Sequence, residues 1–221
     1  MKKNAQPSLS IFDTFKTKSQ ELTGEATRQR AIIVSLATQS NPTERTRTAI
    51  SQRIAEENGI VWKNIYSGIF RDLDEILIPL KLVEEEGRLP LKRGPKALQE
   101  KGIPYYQLTT RGLLVSLSLD EIIGREKILE QFFEKAESDE ELKKGLIRLT
   151  EIAPKFAYSL FEKYAKAYCD GRLNDLLPLN FENFKMTSDE SVLILKEFLK
   201  SFSERPKSDK ETILGFLERI A

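Results

Sequence analysis

The chain of 221 residues contains no histidine and a single cysteine, Cys169. The first absence excludes imidazole acid–base chemistry, histidine-containing triads and histidine metal sites. The second excludes an intrachain disulfide and any cysteine-rich zinc site. Long apolar runs are missing too. The most apolar segments, Ile76–Val83 and Leu113–Leu119, are interrupted by Pro79, Lys81, Ser116 and Ser118. They fall far short of the roughly 18 apolar residues a membrane span needs. The opening MKKNAQPSLSIFDTFKTKSQ has no apolar core of signal-peptide length. A soluble, cytoplasmic protein without membrane association is the expectation. Net charge is also scarce, with 35 Lys+Arg against 34 Asp+Glu, so any affinity for a polyanion must come from local patches. What remains is 40% hydrophobic and 31% charged, enough apolar material for a core and too much for wholesale disorder.

The charge is unevenly placed. Residues 1–24 hold four lysines and two acids; 25–118 hold 14 basic and 11 acidic residues; 119–221 hold 17 and 21. A basic front joined to an acidic back suggests a polyanion-facing module attached to something else. These bounds give the expected organisation: a flexible arm over 1–24, on which Ile11, Phe12 and Phe15 dock at most one short turn, then a unit over 25–118, then a helical unit over 119–221.

The periodicity predicts three helices after the arm. The first runs from about Glu25 to Gln39. Asn41-Pro42-Thr43-Glu44 is an N-terminal signature, with a capping asparagine, proline at the first helical position and glutamate at the capping-box position. The second helix then runs to Asn58-Gly59, a stop signal. Trp62, Ile65, Ile69, Leu73 and Ile76 make one apolar stripe on a third. The period then changes. Leu80–Glu86 and Tyr105–Thr109 read as short strands, joined by a loop rich in Gly, Pro and basic residues.

Helix, helix, helix, hairpin is the order of a winged helix-turn-helix. The segment Ala49–Ile69 (AISQRIAEENGIVWKNIYSGI) resembles the helix-turn-helix of winged-helix regulators. Lys92–Gly112 resembles their wing, with its RGPK element, Tyr-Tyr strand and Leu-Thr-x-x-Gly exit. The resemblance is to archaeal and bacterial transcription regulators and covers about residues 28–118. The run Asp72–Leu80 and the wing tip are both longer than such domains usually have. The expected fold class is therefore mainly α: an N-terminal winged helix-turn-helix followed by an all-helical C-terminal domain. For the latter, four or five helices are expected, with capping boxes at Ser118/Glu121, Ser138/Glu141, Thr187/Glu190 and Ser208/Glu211.

With the apolar stripe of the third helix turned inward, Lys63, Asn64, Ser67 and Arg71 face outward. Asparagine suits adenine, and Arg and Lys suit guanine or phosphate. Arg45, Arg47 and Ser51 near the start of the second helix add candidates. Residues 88–111 hold Arg88, Lys92, Arg93, Lys96, Lys101 and Arg111 against Glu100 alone, with Lys92, Arg93 and Lys96 at the tip. Such side chains neutralise phosphates and release counterions. The Glu84–Glu86 run should point away from phosphate, and Arg28 and Arg30 read as surface ion-pair partners. Cys169 reads as a packed thiol.

The resemblance implies a transcription regulator that binds double-stranded DNA, needs no cofactor and is no enzyme. Its helical half would form a homodimer or bind a protein partner or effector. The competing reading is a winged-helix adaptor in a multisubunit assembly without DNA contact.

Overall fold

Thr23 starts the first helix by accepting a hydrogen bond from the Ala26 amide at 3.1 Å, which satisfies one of the free N–H groups of the first turn. The structure is a computed structural model that describes residues 7–59, 62–91 and 96–220. In it the chain is mainly helical with two small antiparallel sheets. Strands β1 (Thr14–Phe15) and β2 (Lys18–Leu22) precede helix α1 (Gly24–Thr38). A 3-10 turn, Pro42–Arg45, leads to α2 (Arg47–Glu57) and α3 (Trp62–Arg71). Strands β3 (Val83–Leu89) and β4 (Ile103–Leu108) form the second sheet and flank α4 (Lys96–Lys101). Then follow α5 (Thr110–Ser116), α6 (Arg125–Lys135), α7 (Glu140–Ile152), α8 (Pro154–Cys169), α9 (Phe181–Thr187), α10 (Glu190–Ser203) and α11 (Lys207–Ile220).

The expected arm is corrected over its described part. Residues 14–22 pair as a hairpin, and Leu9 and Ile11 are buried in the main core. Ser10 N–H donates to the buried Gln29 side chain at 2.9 Å, which ties this segment to α1. Phe15, expected to dock, is instead exposed.

The expected third helix continues beyond Arg71, but in another form. Asp72–Leu77 is a π-helical stretch, with the Ile78 amide bonded to the Leu73 carbonyl five residues back at 3.0 Å. The wider turn moves the buried stripe from Leu73 to Leu77 rather than Ile76. It also brings Asp72 fully inside, where its carboxylate accepts from Arg28 Nε at 2.7 Å and from Arg71 at 3.3 Å.

Strand β4 alternates over its second half, where Tyr106 and Leu108 point into the core. The register slips between the Glu85–Tyr106 and Gly87–Tyr105 pairs, so Glu86 is the extra residue of a bulge. The residues expected to form a continuous loop contain α4. No mixed pattern announces it, because six residues between Pro95 and Gly102 are too few for a periodic signal.

One apolar core runs from Leu9 to Leu179, and it is continuous across residue 118. Helix α5 is the reason: every residue from Gly112 to Leu119 is buried. Arg30 strengthens the junction by donating to Asp120 and Glu121 in the turn after α5, at 2.6 Å each. The caps of the C-terminal helices fall one or more residues from the expected boxes. Asp139, Asn180 and Asp189 cap α7, α9 and α10. Ser118 starts no helix; its hydroxyl donates to the Val115 carbonyl, and α6 begins after Gly124. A carboxylate is the stronger acceptor for amides at a helix start, which favours Asp139 over Ser138. Six helices follow residue 119 among the described residues, where four or five were expected.

Burial pushes the Cys169 thiol up to about 12. At pH 8 its alkylation should be on the order of a thousandfold slower than that of a free cysteine, because the thiolate is the nucleophile. The unfolded thiol ionises near its ordinary value of 9.0 and the folded one near 12, so this contribution to stability is complete below pH 9 and declines from there toward pH 12. Urea midpoints at pH 8 and pH 10 check this: the decline should shrink in Cys169→Ala.

Candidate nucleic-acid interface

Helices α2 and α3 pack against α1 and against each other, with Ile50, Ile54 and Ile69 buried, and Leu73 of the π-helical stretch is buried beside them in the same core. The β3–β4 hairpin lies against the turn that precedes α2, where Thr46 bridges to Tyr105.

Three of the expected contact residues are engaged within the fold. Ser51 is fully buried, and its hydroxyl donates to the Arg47 carbonyl at 2.8 Å. Arg45 is 8% exposed. Its guanidinium pairs with the bulged Glu86, donates to the Tyr106 and Ser40 carbonyls at 3.2 and 3.3 Å, and lies over the Tyr105 ring. Gly87 makes this possible: a Cβ there would stand 2.7 Å from the Tyr105 hydroxyl. Arg47 pairs with Asp74 and sits over the rings of Phe70 and Tyr106 at 5.2 and 5.3 Å. Phe70 in turn meets Tyr66 in a tilted ring contact, with centroids 4.1 Å apart. The two arginines are braces that lock the hairpin onto the helices. Their charges are consumed locally, and the Glu84–Glu86 run supplies a brace where a free acidic strand end was expected.

Other cations of the half are paired as well. Arg53 lies 3.7 Å from Glu44, Arg88 donates to Glu85 at 2.6 Å, and Arg111 reaches Asp175 at 2.6 Å, beyond the hairpin altogether. Ser67 and Arg71 are exposed on α3, as expected, although Arg71 also leans on Asp72. Lys96 and Lys101 are exposed at the two ends of α4, with no carboxylate partner among the described residues. Lys63 and Asn64 belong to α3, and their side chains lie outside what the structure describes; Lys92 and Arg93 lie outside the described residues.

One further basic feature was not anticipated. A cleft of about 510 Å³ opens between the end of α1, β4 and α6. Arg45, Lys127 and Lys135 line it and no carboxylate does. Arg45 lies 82 residues before Lys127, so no local motif announces it. Among the described residues, no group of three or more Asp, Glu or Cys is placed to hold a metal ion. No described helix is long and apolar enough to cross a membrane.

Comparison with known protein families, with characterised proteins and with solved structures finds no match to this chain.

Proposed function

We propose that the chain binds double-stranded DNA as a transcription regulator of winged helix-turn-helix type. In this reading residues 25–118 dock α3 in a groove and lay the β3–β4 tip along the backbone. Residues 119–221 serve assembly. One observation carries the reading: three helices lead directly into an antiparallel hairpin on a shared core, with Ser67 and Arg71 exposed on the third helix and Lys96 and Lys101 exposed at the tip. The braces at Arg45 and Arg47 support it indirectly, since a hairpin held rigidly presents its tip at little entropic cost.

Alanine variants separate the two kinds of contact. Replacing Lys92, Arg93 and Lys96 together should weaken binding to all duplexes equally and lower the salt slope by about three. Asn64→Ala should instead relax preference at one base position, losing roughly 1–3 kcal/mol of discrimination. A triple variant that changes sequence preference while Asn64→Ala changes nothing would reverse the assignment.

A second reading, an adaptor without DNA contact, is favoured by one observation: Arg45, Arg47, Arg88 and Arg111 are all spent on carboxylates. It predicts no duplex binding even at low salt.

A further inference from the structure

Helix α10 buries none of its residues, and no described residue from Ser188 to Arg219 is buried. Yet this segment is not polar. Ile194, Phe198 and Leu199 on α10 are 60%, 40% and 51% exposed, and Leu214, Phe216 and Leu217 on α11 are 49%, 59% and 39% exposed. Spacings of four place Ile194, Phe198 and Phe202 on one stripe, and the Phe198 and Phe202 rings stack at 5.3 Å. Isolated exposed apolar residues are ordinary, but a contiguous face of this kind marks an interaction surface.

The turn between the two helices is tied. Lys210 Nζ donates to the Ser203 carbonyl at 3.0 Å and lies 5.8 Å from the Phe202 ring, which closes the turn between them. The first turn of α10 is fixed to the body: Lys163 Nζ donates to Asp189 and Ser191 at 2.8 Å each. The face is therefore presented by an anchored element.

We infer that the exposed apolar residues of α10 and α11 are the interface with a second copy of this chain.

Three observations choose this occupant. The first is charge: residues 190–220 hold six acidic and six basic side chains. Two copies approach without net repulsion, and nothing favours a strongly charged partner. The second is the character of the polar face. An interfacial membrane helix carries a cationic polar face, whereas this one is neutral. The third is area. Six large apolar side chains, each about half exposed, offer roughly 600 Å² per copy, so that two copies bury about 1,200 Å², the lower end of a specific interface. A face that pairs with itself satisfies two-fold symmetry without a second surface.

The inference stands apart from the DNA reading, because it is tested without nucleic acid. Light scattering coupled to size exclusion on the full chain should give twice 25.3 kDa at tens of micromolar. Ile194→Lys combined with Phe198→Lys should give the monomer mass. Far-UV circular dichroism and the thermal midpoint of the body should be retained, since α10 buries nothing. Leu214→Ser combined with Leu217→Ser, on the other helix, should dissociate the dimer independently and guards against misfolding of the first variant. A wild-type monomer at that concentration overturns the inference, and so does a dimer that persists in both folded variants.

Discussion

Gly112→Ala should destabilise the protein by about 3–5 kcal/mol, at the upper end of single substitutions. A Cβ at this position would stand 2.1 Å from the Leu82 carbonyl oxygen and 3.1 Å from Leu108 Cβ. The first of these is backbone, and it cannot rotate away. It belongs to the short connection that sets the start of β3, where the Leu82 carbonyl also accepts from the Thr109 amide at 3.0 Å. Helix α5 approaches this connection so closely because Thr109 caps its start through the Gly112 amide at 3.2 Å. Relief of the clash must move α5, and α5 is the element that joins the two halves of the core. Gly145→Ala is the contrast. Gly145 lies within α7 and a Cβ there meets nothing within 4 Å, so alanine should add roughly 0.5–1 kcal/mol of stability. Denaturant midpoints of the two variants should move in opposite directions from wild type.

Asp72→Ala is expected to cost about 3 kcal/mol, because it strips the partner from a charge held largely out of water. Asp72 is fully buried, Arg28 crosses from α1 to reach it at 2.7 Å, and Arg28 lies directly over Gly68. A Cβ on residue 68 would stand 2.9 Å from Arg28 Nε. Gly68→Ala should therefore displace the guanidinium and weaken the same ion pair. The two substitutions together should cost less than their separate effects summed, since each removes the same interaction. Simple additivity in urea unfolding would show that the Arg28–Asp72 pair does not link these sites.

How far the sequence carries is visible element by element. Helices α1 to α3 and strands β3 and β4 were legible because Asn-Gly and apolar spacing are local signals, whereas the expected cap Asn41 opens the 3-10 turn and Thr46 caps α2. Pro154 at the start of α8 was legible for the same reason. The π-helical stretch was not, because its stripe differs from an α-helical one by a single residue, and what holds Asp72 inside is Arg28, 44 residues earlier. The pairing of the basic residues was hidden by the same limit. Arg45 meets Glu86 across 41 residues and Arg47 meets Asp74 across 27. A count of charges along the chain sees the cations and cannot see which carboxylates the fold brings to them. Equal totals of acid and base were the one available hint that many would be paired. The apolar face of α10 and α11 was partly legible, since the C-terminal half holds more aromatics than a linker needs, but only burial distinguishes surplus from core.

The central proposal, that the N-terminal half holds duplex DNA through α3 and the hairpin tip, is tested most directly by a salt titration of the full chain on generic duplex. Each neutralised phosphate contributes a slope of about −0.9 in log affinity against log salt, so three or more contacts from α3 and the hairpin tip should give about −3 or steeper. An affinity that stays flat between low and moderate salt, or no binding at low salt, would contradict the account.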